Sequence, residues 1–517
     1  MRRPMGKVRT LRARPVLMLF VAIAAGCKGA NADVSLSKAA PNGDETGIPN
    51  IPPPPADGPK LVATHAGVVV MDRPRRDGVA LGGLAAGEAV VRASAPYKVE
   101  PACALGWYPI RPRGFVCAND GVSVTAPPLP SRDTALPLPH RYARVRSATP
   151  LYTRVPTAEE QTENEPDLTK HLARMKGETL VSRAGSNDIP LDENGSPIGV
   201  PVIKHDAVGV GPEGRRTDAT YFDVPTPAPV GGSGPLVARA LRRGSGLSVV
   251  GTFDSSGPEG TRHFGVTTDG SIVPIDRLEP AMGSTFTGVD LTKDKALPVG
   301  FVLHHEVAPY EMKHGKAERL SDDEVGYRAA IFLTGRFRTV AGVRYEEGDD
   351  GRWLRNRDII KIVKRTKFPD FVGDGMKWVD VSLALQTMTL YEGYKPVYAT
   401  LISSGSDVLG DPATSSATAQ GVFKVSRKAL GAALDPLETQ NAFEVLDAPW
   451  QLELTPDVSL VGSYWSDSFG EARMHHDVAL SPVDAHRLFG WAGPEVPEGW
   501  ASTVVADAES ITVNIRK

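Results

Sequence analysis

Apolar and polar positions alternate most regularly between residues 371 and 505. "KWVDVSLALQTMTLYEGYKPVYATLISSG" alternates through two strands joined by a "YEGYKP" turn. "QGVFKVSRK", "FEVLDAPWQLEL" and "VSLVGSYW" carry further strand patterns, and "SPVDAHRLFGWA" reads as a helix. There Ser481 is placed to cap, Pro482 to fill the first turn, and Asp484 to add charge near the N-terminus. Residues 61–125 alternate apolar runs with Gly and Asp turns, which predicts a small β domain. Residues 126–370 are mostly β in pattern. "HRYARVRSATPLYTRVPTAEE" opens them with strand-like alternation, and "TENEPDLTKHLARMKGE" predicts a short helix with Asp167 near its start. "LTGRFRTVAGVRYEEGDDGRWLRNRDIIKIV" then repeats the strand–turn–strand pattern of residues 61–125, a weak internal repeat.

Length turns these patterns into a multi-domain reading, since 517 residues exceed one ordinary hydrophobic core. Gly 52 and Pro 44, with 7% aromatics, favour turns and linkers between β-rich domains. The net charge of -3 gives no global field toward nucleic acid, so no nucleic-acid partner is expected. Residues 1–27 carry a basic start, the apolar stretch Pro15–Ala25, and "AAGC" ending at Cys27. That stretch is too short to span a bilayer, and the whole pattern is that of an export signal. Small residues before Cys27 resemble a bacterial lipobox, which implies lipidation at Cys27. Residues 28–60, with Pro52–Pro55, predict a disordered tether. The implied location is the cell envelope, facing the periplasm. Lys28 in place of a retention aspartate favours the outer membrane. Cys103 and Cys117, close together in an exported chain, suggest one disulfide, with two buried thiols as the alternative.

Two resemblances follow from these segments. "CALGWYPIRPRGFVCANDGVSV" resembles the bacterial SH3-like β-barrels of cell-wall proteins, with the Cys103–Cys117 bridge stapling a hairpin. Residues ~376–502 resemble the L,D-transpeptidase catalytic domain, which remodels peptidoglycan. The resemblance rests on "WVDVSLALQTMTLYEG" with Gln386–Thr387, "ATLISSG", "TAQGVFKV" with Ala419 where the family has proline, and "VGSYWSDSFGEARMHHDVALSPVDAHRLFGW". It implies a fold class that is mainly β: a tethered lipoprotein with SH3-like modules and a C-terminal L,D-transpeptidase-like β-sandwich.

In that family a cysteine thiolate, assisted by histidine, attacks a stem-peptide amide and passes the acyl group on through a thioester. Carried onto this chain, the upstream base falls on Val461 and its glycine on Gly462. The serine falls on Met474, the core histidine on His475, the glycine on His476, and the cysteine on Asp477. The asparagine falls on Ala479, and Ser466 stands where a histidine is common. The site at Val461, His475 and Asp477 is therefore degenerate, and the expected function is non-catalytic: peptidoglycan binding or regulation of cell-wall remodelling. An active transpeptidase or carboxypeptidase with non-standard residues is the alternative. Stem peptides are the expected partner, held by Gly462, Tyr464, Trp465, Arg473 and His475. No cofactor and no metal are expected, because the spacing at His475–Asp477 matches no zinc motif. The second doublet, His304–His305, cannot chelate one ion if it lies in a strand, where neighbouring side chains diverge.

Overall fold

The computed structural model describes residues 51–129, 133–183, 221–222, 224–226, 234–320, 323–439 and 442–517. The expected signal segment, Cys27 and most of the tether lie outside the described residues. The chain is mainly β, and its described residues place strands in five sheets. No helix among the described residues is long and apolar enough to cross a membrane.

The first unit holds β1 (Lys60–Ala63), β2 (Val69–Met71), β3 (Ala80–Leu84), β4 (Ala89–Val91), β5 (Lys98–Glu100), β6 (Cys103–Pro109), β7 (Phe115–Cys117) and β8 (Val122–Ser123). Cys103 and Cys117 are disulfide-bonded, with Cα atoms 5.9 Å apart. The end of the expected tether is not free here. Ile51 packs against the apolar cluster around this disulfide, and Arg111 donates to the Pro54 carbonyl at 2.6 Å.

The second unit holds β9 (Arg141–Val145), β10 (Thr149–Tyr152), β11 (Val237–Leu241), β12 (Gly246–Gly257), β13 (Gly260–Thr267), β14 (Ile272–Pro274) and β15 (Leu278–Pro280). After β16 (Val289–Asp290), the third holds β17 (Val299–Val302), β18 (Tyr310–Lys313), β19 (Lys316–Arg319), β20 (Ala330–Val340), β21 (Val343–Gly348), β22 (Trp353–Arg355) and β23 (Ile359–Ile362). Their sheets run β11-β10-β14-β13-β12-β9-β15 and β19-β18-β22-β21-β20-β17-β23, the same order position by position. The first unit repeats it with β4 and β5 standing where the others have one long strand: β8-β1-β4 and β5-β6-β7-β2-β3. Pro96 lies in the break between β4 and β5, and proline has no N–H to give a ladder. In the second and third units a 3₁₀ turn, Ile275–Arg277 or Asn356–Asp358, precedes a closing strand that pairs with the first. The repeat visible in the sequence is thus one of three such units.

The second unit differs by an insertion between β10 and β11. In the third unit the matching connection is a tight hairpin through His314 and Gly315, both at positive φ, as such turns require. The insertion begins with α1 (Ala158–Asn164) and α2 (Leu168–Arg183), two helices rather than the one expected, with Pro166 between them. Buried Glu165 accepts from Arg262 and Arg277, which also pair with Asp276 and Asp167, and this network ties the helices to the sheet.

The C-terminal domain holds β24 (Lys377–Ser382), β25 (Thr387–Glu392), β26 (Lys395–Leu401), β27 (Gly421–Lys424), β28 (Arg427–Ala432), β29 (Ala448–Thr455), β30 (Val458–Gly462), β31 (Val478–Leu480), α3 (Pro482–Trp491), β32 (Trp500–Val504) and β33 (Thr512–Arg516). Sheet β16-β26-β25-β24-β33-β27 faces sheet β31-β30-β29-β28-β32. Val379, Val381 and Leu390 from one, and Leu452, Leu460 and Val478 from the other, share one core with Leu488 and Phe489 of α3. Ser481 caps α3, its hydroxyl accepting from Asp484 N at 3.1 Å.

Two expectations are corrected. The segment expected as two strands makes three, because Gln386 at φ 52 turns the chain between β24 and β25. The expected boundaries 371–505 are too narrow. β33 lies between β24 and β27, and β16 pairs with β26, so flanking residues complete the sheet. The second sheet also runs into the first unit, where β32 pairs with β3 as well as β28.

Candidate functional site

β30 and β31 are parallel, with Leu460 opposite Val478 and Val461 opposite Ala479. Side chains alternate along a strand. Leu460 and Val478 therefore enter the sandwich core, while Val461 and Ala479 enter a second apolar cluster on the other face. That cluster also contains Met474, Tyr464 and Ala448 of this domain, and Tyr142 and Ala281 of the second unit. Val461 is fully buried. Val461 and Met474, where the resemblance puts a base and a serine, are thus packed together with residues of the second unit.

The loop before β31 is sewn to the end of β26. Met474 N donates to Ser404 O at 2.9 Å, Ser406 N to Met474 O at 2.8 Å, and Ala479 N to Ser403 O at 2.8 Å. Gln386 holds Ser404 in turn, donating to its hydroxyl at 2.7 Å and accepting from its N–H at 2.8 Å.

Glu438, from a 3₁₀ turn at Pro436–Thr439 between β28 and β29, comes down on this loop. Its carboxylate accepts from three consecutive backbone N–H groups: His475 at 3.0 Å, His476 at 2.8 Å and Asp477 at 3.1 Å. Successive amides converging in this way make an anion-binding nest, and here a protein carboxylate fills it. The segment carrying Glu438 is fastened to the second unit. Gly246 N donates to Glu444 O at 2.7 Å, and Leu446 N to Gly246 O at 2.9 Å, while Ser248 donates to Asp447.

Asp477, where the sequence resemblance puts the nucleophile, is buried and accepts from Ser459 N at 2.6 Å. Burial first, and the Glu438 carboxylate second, push its carboxyl well above the ordinary aspartate range. His475 and His476 are half-buried, with ring centroids 3.9 Å apart. Glu438 went unnamed in the sequence reading. "DPLETQ" carries only turn residues and a surface-type acid, and nothing local marks the acid as buried.

The expected binding residues divide. Arg473 is exposed and pairs with Glu471 at 2.7 Å, and Trp465 is half-buried. Tyr464 is a correction. It is buried, its ring 4.5 Å from that of Tyr142, and its hydroxyl lies against Gly246 with no room for a side chain there, so a ligand cannot reach it. Gly462 is also interior, where a Cβ would meet Pro449 O at 2.9 Å and Ala485 Cβ at 3.1 Å, so its role is packing beneath α3. His304 and His305 are exposed in a turn after β17 rather than in a strand, with the His305 ring 4.3 Å from Tyr327.

No known protein family matches this chain, and no curated protein does. Among solved structures it is similar to an L,D-transpeptidase mutant from Enterococcus faecium, at 21% identity and TM-score 0.21, covering 31% of this chain and 56% of that one. An L,D-transpeptidase from Xylanimonas cellulosilytica is similar at 19% identity and TM-score 0.21, covering 29% and 65%. L,D-transpeptidase 1 of Mycobacterium tuberculosis is similar at 18% identity and TM-score 0.19, covering 36% and 82%. The chain thus spans less than two thirds of the length of the first two.

Proposed function

We propose that this chain is a cell-envelope lipoprotein, anchored through Cys27, whose C-terminal sandwich is L,D-transpeptidase-like but catalytically silent. It associates with peptidoglycan stem peptides and acts by binding or by regulating cell-wall remodelling. One observation carries the loss of acyl transfer. Asp477 and Val461, which the resemblance puts at nucleophile and base, are both buried, Asp477 with its N–H held by Glu438 and Val461 packed against side chains of the second unit.

Acyl transfer needs a nucleophile, a base within hydrogen-bond reach and donors for the developing oxyanion. A carboxyl is a weak nucleophile toward an amide, burial raises the Asp477 pKa and so disfavours its carboxylate form, and its attack on an amide would give a mixed anhydride. Val461 can neither take nor give a proton. The amides of His475, His476 and Asp477 are already engaged by Glu438. Association with peptidoglycan is left to the outer part of the site, where Arg473 is exposed.

The full chain in detergent, mixed with muropeptides, is expected to yield no cross-linked or trimmed product by mass spectrometry. It is expected to sediment with isolated sacculi, and less so as Arg473→Ala. Turnover by the wild type would establish the enzyme reading instead, and absence from the sacculus pellet would remove peptidoglycan binding.

A further inference from the structure

We propose that Glu438, His475 and His476 form a binding site for a divalent transition metal ion of the zinc class. The donor set is two imidazoles and one carboxylate, a combination that three-ligand zinc sites use. One ligand atom from each residue lies within 4.8 Å of the others. His475 and His476 sit in a bend before β31, not in a strand, so strand alternation does not send their side chains apart.

The two nitrogens need a partner. His475 Nδ1 and His476 Nε2 are shielded from solvent and make no hydrogen bond. Leaving such a group unmet costs about 1–3 kcal/mol, and coordination to a metal ion is one way to meet it. Glu438 is suited to share. Its three backbone N–H bonds use three of roughly four acceptor positions on a carboxylate, leaving one for an ion. Those bonds also fix the carboxylate's orientation, as the outer partners of metal ligands do. They bring no positive charge, so the buried carboxylate gains most from a cation. Zinc bonds of about 2.0–2.1 Å place tetrahedral donors roughly 3.4 Å apart. The donor atoms, within 4.8 Å of one another, would draw together to that separation on binding.

This site is argued from its own donor atoms and does not depend on the silent-site reading. The test is calorimetric titration of zinc chloride into the full, untagged chain, purified in detergent and stripped with chelator. One equivalent is expected to bind at about micromolar Kd or tighter. His475→Ala and His476→Ala are each expected to weaken it at least ~10-fold. Circular dichroism checks that these variants, altered at half-buried positions, remain folded. No heat in the wild type, or unchanged affinity in the double histidine variant, would overturn the site. Muropeptide turnover by the zinc-loaded protein would overturn the silent reading and leave the metal site standing.

Discussion

Lys428 lies inside the sandwich, its ammonium donating to the Phe489 carbonyl at 2.7 Å and standing 4.3 Å over the Phe489 ring. Burial pushes its pKa down to about 8. Between there and the ordinary lysine value of roughly 10.4, the unfolded chain holds a proton that the folded chain has lost, so stability rises with pH. Below the lower value the whole penalty is present, on the order of 3 kcal/mol. Lys428→Met is therefore expected to be the more stable protein at pH 7, with the gap closing toward pH 10. Urea melts of both proteins at the two pH values check this, and parallel curves would sink it. Lys428 shows what a residue reading misses. "KVSRK" looks like a strand with solvated charges, and only the facing helix makes this lysine interior. The same holds for Glu438, an acid in a turn whose partners lie 37 to 39 residues away in the chain.

At the scale of elements, local pattern carried further. Ser481, Pro482 and Asp484 marked the start of α3, because capping depends on neighbours within one turn. The alternation of the tryptophan strand is legible for the same reason, but it does not separate that strand from its partner after Gln386. The turn itself was missed, because left-handed φ at a non-glycine residue has no reliable local signature. The hairpin of β6 and β7 is closed by the Cys103–Cys117 disulfide, 14 residues apart in sequence. On the chain-entropy account such a loop stabilises by about 3 kcal/mol. The Cys103→Ala/Cys117→Ala double variant is expected to lose about that much in denaturant unfolding of the first unit. The near-identity of its unfolding curve to wild type would mean that the hairpin is held by packing around Trp107 alone.

At the scale of the whole molecule, three units of one strand order pack against a sandwich, through side-chain clusters and, for the first and second units, backbone hydrogen bonds. β3 meets β32 so closely at Gly82 that a Cβ there would fall on the Ser502 carbonyl and the Trp500 ring. Gly82→Val is expected to break that pairing, and limited proteolysis should then cut between the first unit and the C-terminal domain. Resistance equal to wild type would show that the joint does not depend on this contact. The sequence by itself determined the β class and the capped helix, because periodicity and caps are local. It did not determine that β33 and β16 complete the first sheet, that β3 extends the second, or that Tyr142 covers the site. Nor did it show that Glu438 occupies the amides of His475–Asp477. Those depend on which distant segments meet, and burial, which raises the Asp477 pKa and leaves two imidazole nitrogens without partners, exists only after they have met.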